Sequence, residues 1–76
     1  MKIKVGHIYQ SYNEERLVIT YVNDYYAEFI WSGGTTGYIK ICLEQDLREF
    51  FDNFRLITKY PTWQEAVNSK EFNEED

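Results

Sequence analysis

The period of the apolar pattern changes near residue 44, and this constrains the fold more than any other feature of the chain. Up to Leu43 the large apolar residues recur every second position, as strands require. From Leu47 they fall at Leu47, Phe50, Phe51 and Phe54, the i, i+3, i+4, i+7 stripe of an amphipathic helix. Charge changes at the same place. Residues 1–43 carry four bases and four acids, whereas residues 44–76 carry four bases against nine acids, which holds the whole net charge of −5. The first part therefore reads as a core-building sheet and the second as a charged surface laid beside it.

Within the sheet part, Val5 to Ser11 forms a short first strand, and Asn13-Glu14-Glu15 breaks it. Arg16 to Val22 sets Leu17, Ile19 and Tyr21 against Val18, Thr20 and Val22, a strand covered on both faces. After the Asn23-Asp24 turn, Tyr25 to Trp31 places Tyr25, Ala27, Phe29 and Trp31 inward, with Tyr26, Glu28 and Ile30 toward solvent. Ser32 to Gly37 is a loop of hairpin type, not a phosphate loop, since it lacks Lys and opens a strand. Tyr38 to Leu43 resumes the alternation, with Ile39, Ile41 and Leu43 inward.

Asp46 followed by Glu49 suggests a capping box with regular turns from Leu47. Arg55 to Tyr60 returns to strand character and Pro61 stops it. Thr62-Trp63-Gln64-Glu65 then caps a second helix, which buries Trp63, Ala66 and Val67 and ends by about Lys70, because Phe72 falls opposite its buried face. The order β-β-β-β-α-β-α predicts a small α+β domain over residues 1–72. Its expected form is a strongly bent five-stranded antiparallel sheet or an SH3-like barrel, with an acidic disordered tail at 73–76.

Composition narrows the function. Seventy-six residues make one domain, which buries only about 60–65% of the surface of its unfolded chain. One cysteine, no basic-then-apolar leader and no long apolar run predict a soluble, cytoplasmic protein. Net negative charge opposes direct binding to phosphate backbones. His7 reads as a half-exposed strand residue and Cys42 as a small buried or edge residue, so neither a nucleophile pair nor a cofactor is expected. Zinc held by His7, Cys42 and carboxylates such as Glu44 or Glu15 is the alternative. The paired acids fall in turns, on a helix face and in the tail, where no pocket would tune them for catalysis. They suit a protein-binding surface instead. Asp46, Glu49, Asp52 and Glu65 supply its charge, and Tyr25 or Tyr26 adds contact area.

The stretch Tyr60-Pro61-Thr62-Trp63-Gln64-Glu65-Ala66-Val67-Asn68-Ser69-Lys70-Glu71-Phe72 resembles the ends of short accessory proteins of phages and prophages of Gram-positive bacteria. The opening Met1-Lys2-Ile3-Lys4-Val5-Gly6 is similar to theirs. Members with an activity are often inhibitors of host enzymes or defence systems, anti-CRISPR proteins among them. The resemblance implies a non-enzymatic inhibitor acting stoichiometrically on a host protein that handles nucleic acid, such as a CRISPR effector. An SH3-like structural or regulatory module in phage assembly or gene control is the alternative.

Overall fold

The computed structural model describes residues 3–73. Seven elements follow in order: β1 (His7–Ser11), β2 (Arg16–Val22), β3 (Tyr26–Trp31), β4 (Thr36–Lys40), α1 (Glu44–Asn53), β5 (Phe54–Lys59) and α2 (Trp63–Val67). All five strands join one antiparallel sheet in the order β4-β3-β2-β1-β5. The expected β-β-β-β-α-β-α order is present, in the open-sheet form. The barrel form is not, because β5 pairs only with β1 and leaves β4 and β5 as the two edges. Helix α1 connects those edges by crossing one face of the sheet, and it runs into β5 without a loop. None of the helices among the described residues is long and apolar enough to cross a membrane.

Alternation along the strands divides the core in two. Tyr9, Leu17, Ile19, Ala27 and Phe29 face α1 and pack with its Phe50. Ile8 and Val18 face the other way, against Ala66 and Phe72. Leu17, Val18 and Ile19 are all fully buried, so β2 is covered on both faces as its pattern predicts. Rings fill the α1 side: Phe50 meets Tyr9 edge-on at 4.8 Å and stacks on Phe54 at 4.9 Å. Burial also pushes the Tyr9 phenol up to about 12.

Several boundaries differ from expectation. Helix α1 starts at Glu44 rather than Leu47, with Leu43 as its N-cap. Leucine has no side-chain acceptor, so only the reciprocal half of a capping box forms: the Asp46 carboxylate, at the third helical position, accepts from the Leu43 N–H at 3.3 Å. The Thr62 cap is as expected, its hydroxyl accepting from the Glu65 N–H at 3.2 Å.

Helix α2 ends at Val67, before Lys70 as expected, which leaves Phe72 outside the helix. The Ser69 hydroxyl donates to the Ala66 carbonyl at 2.6 Å and accepts from the Phe72 N–H at 3.2 Å. That turn breaks the helical phase and swings Phe72 back onto Ile8 and Val18, where it is 5% exposed. Asn73, expected in the disordered tail, is tied down by its N–H on the Ser69 carbonyl at 3.1 Å. The rest of that tail, 74–76, lies outside the described residues. The segment is further strapped to the body by Tyr60, whose hydroxyl donates to the Glu71 carboxylate at 2.5 Å, and by Arg16, which donates to the Glu71 carbonyl. Accepting that hydrogen bond lowers the Glu71 carboxyl below its ordinary value, and giving it raises the Tyr60 phenol.

Candidate functional site

The expected acidic surface separates into two parts. Glu44, Glu49 and Asp52 are exposed on α1, whose Phe50 is buried in the core. Asp46 is half-buried and occupied in capping the helix. Glu65 is also exposed, but it sits on α2, which packs over β1 and β2 on the opposite face of the sheet. The structure therefore brings Asp46, Glu49 and Asp52 onto one helix and leaves Glu65 apart from them. The C-terminal end of α1 is fixed by Tyr12, whose hydroxyl donates to the Asp52 carbonyl at 2.7 Å, joining the β1–β2 turn to the helix.

The tyrosines are placed differently from their sequence parity. Tyr25, expected inward, is 68% exposed in the β2–β3 turn, where the Asn23 side chain accepts from its N–H at 2.8 Å. Tyr26, expected toward solvent, is half-buried between two other rings, Tyr21 at 6.0 Å and Tyr38 at 5.9 Å. Strict alternation sets Tyr21 on the same face as Leu17 and Ile19. A register shift between Ile19 and Tyr21 adds a residue there and reverses the phase, turning Tyr21 outward. The Tyr21–Tyr26–Tyr38 cluster is thus a surface that strict alternation misses. The alternation does place Glu28 and Tyr38 outward, and in the structure they are direct cross-strand partners.

His7 is more buried than expected, while Cys42, expected as a small buried or edge residue, lies just past the edge strand β4. Cys42 is exposed, its thiol 3.9 Å from the Asp46 carboxylate. His7 is 8% exposed, beside the Tyr9 ring, and its buried Nδ1 has no hydrogen-bond partner. Among the described residues no three His, Cys, Asp or Glu side chains come together as a metal-holding group. Compared with known protein families, curated proteins and solved structures, the chain matches none.

Burial, reinforced by the charges of Lys59 and Lys4, holds the His7 pKa below its ordinary 6.5. The folded protein therefore keeps the ring neutral while the unfolded chain takes up a proton. Stability from this residue is complete above pH 6.5. It falls as the pH drops below that value, at a slope approaching 1.4 kcal/mol per pH unit at most (about 2.3RT), until the folded ring itself titrates. Urea midpoints measured from pH 7 to pH 5 should fall more steeply for the wild type than for His7→Leu. Parallel curves would mean that the buried imidazole is not the source.

Proposed function

We propose that this chain is a non-enzymatic protein-binding module that docks the exposed acidic side of α1 into a basic groove on a partner that handles nucleic acid. The observation that carries this reading is the division of labour on α1: Phe50 anchors the helix in the core, while Glu44, Glu49 and Asp52 face water. A helix held from one side presents its carboxylates in a fixed array, and such an array complements a groove evolved for phosphates. The net charge of −5 favours the protein over the nucleic acid as the partner. The likeness of the 60–72 segment to phage accessory proteins makes a host defence protein, such as a CRISPR effector, the first partner to test, with the chain acting as a stoichiometric inhibitor.

Competition tests the reading. Protein captured from a Gram-positive host lysate on the immobilised chain should be released by single-stranded DNA or heparin, and by salt as exposed charges are screened beyond about 8 Å. A captured protein that resists both competitors and high salt would overturn the proposal.

A further inference from the structure

The sheet face that α2 covers over β1 and β2 continues, exposed, onto β3 and β4. There Glu28 pairs in register with Tyr38 on one side and Tyr21 on the other. Directly opposed residues share a face with Cβ atoms only about 4.5–5.5 Å apart, so Glu28 is rooted between two tyrosines. Tyr26, two residues along the same strand, bridges the rings at 6.0 and 5.9 Å, making the aromatic surface continuous. Tyr21 and Tyr38 remain 46% and 68% exposed, a large apolar commitment for a single surface.

We infer that this shelf receives an arginine side chain of a partner protein. A carboxylate framed by aromatic faces matches a guanidinium in two ways at once. The carboxylate accepts a forked pair of hydrogen bonds, and the weakly hydrated plane lies on a ring. A lysine ammonium can sit over a ring too, but it offers neither the planar fork to the carboxylate nor flat stacking on the ring. Asp24, exposed in the turn leading into β3, adds to the field, while Lys40, opposite Tyr26, is the shelf's own cation and opposes it. A second copy of the chain, carrying the same −5, is the poorer occupant. The inference does not depend on α1, which lies across the other face of the sheet.

The test uses the 15N-labelled full chain titrated with two capped pentapeptides that differ only in carrying two arginines or two lysines. Amide shifts should centre on Tyr21, Tyr26, Glu28 and Tyr38. The arginine peptide should bind tighter by about two- to fivefold in all, through the fork to Glu28 and the flat stacking that lysine lacks. Glu28→Gln and Tyr38→Ala should each weaken it, and Lys40→Met should strengthen it. Repeating the titration on Glu49→Lys/Asp52→Lys should leave the shelf response in place, which separates this surface from the acidic helix. Equal affinity for the two peptides overturns the inference. So do shifts confined to Glu44, Glu49 and Asp52, the absence of any shelf response, or a response to protein concentration alone, which would identify a second copy as the occupant.

Discussion

The Gly6→Ala variant is expected to lose between about 2 and 5 kcal/mol of folding stability. Gly6 holds the left-handed backbone at φ +93°, a conformation costing an L-residue about 1–2 kcal/mol. Steric conflict adds to this. A methyl at position 6 would stand 2.2 Å from the Tyr60 carbonyl oxygen and 3.3 Å from the Thr62 carbonyl carbon, both backbone atoms. Relief requires moving the segment that ends β5 and caps α2, at the cost of the Tyr60 N–H to Gly6 carbonyl bond of 3.1 Å. Overpacking of this kind typically costs about 1–3 kcal/mol. Gly33→Ala is the control, since a methyl there meets nothing within 4 Å, and it should stay within about 0.5 kcal/mol of the wild type. Urea unfolding of the two variants distinguishes them. Equal midpoints would mean that the β1 entry and the β5 exit do not meet as described.

Phe50→Ala should cost about 3–5 kcal/mol, most of the roughly 5 kcal/mol available to so small a domain. Its ring is 4% exposed and touches Tyr9, Phe51 and Phe54 at centroid distances of 4.8, 5.4 and 4.9 Å. Nothing smaller fills that position, and the surrounding rings cannot collapse into the gap without leaving their edge-on and stacked arrangements. Phe51 shares the helical stripe but is only half-buried, so Phe51→Ala should cost less than half as much. Circular dichroism during urea titration reads both values. Similar losses from the two variants would contradict the one-sided anchoring of α1.

Local periodicity carries information only while the phase of an element is unbroken. The Leu47, Phe50, Phe51, Phe54 stripe was legible because it continues to the start of β5, and the order of elements follows from such unbroken segments. Tyr21 was misplaced because a bulge reverses parity inside β2. The phase of Phe72 showed that α2 stops before it, but not that one hydroxyl, that of Ser69, redirects the chain to bury it. The burial of His7 is a tertiary effect: its neighbours Lys4 and Lys59 belong to opposite ends of the chain, and β1–β5 pairing brings Lys59 opposite His7. The choice between open sheet and barrel depends on where β5 pairs, and no local pattern encodes that. The acidic character of α1 was fully visible. That Glu65 lies across the sheet from it was not, since helix phase says nothing about which face a helix covers.

The most direct test of the account measures stability and partner affinity together in the Glu49→Lys/Asp52→Lys protein. The double reversal changes the charge of α1 by +4, removing two negatives and adding two positives, without altering Leu47, Phe50, Phe51 or Phe54. Asp52 lies in the last turn, which has no basic residue, so lysine there suits the helix dipole. Unfolding free energy should therefore stay within about 0.5 kcal/mol of the wild type. Affinity for the captured partner should fall at least about tenfold, chiefly through slower association and a shallower salt dependence. A variant that folds normally and binds as tightly as the wild type would contradict the account, leaving the acidic side of α1 as nothing more than a solvated surface.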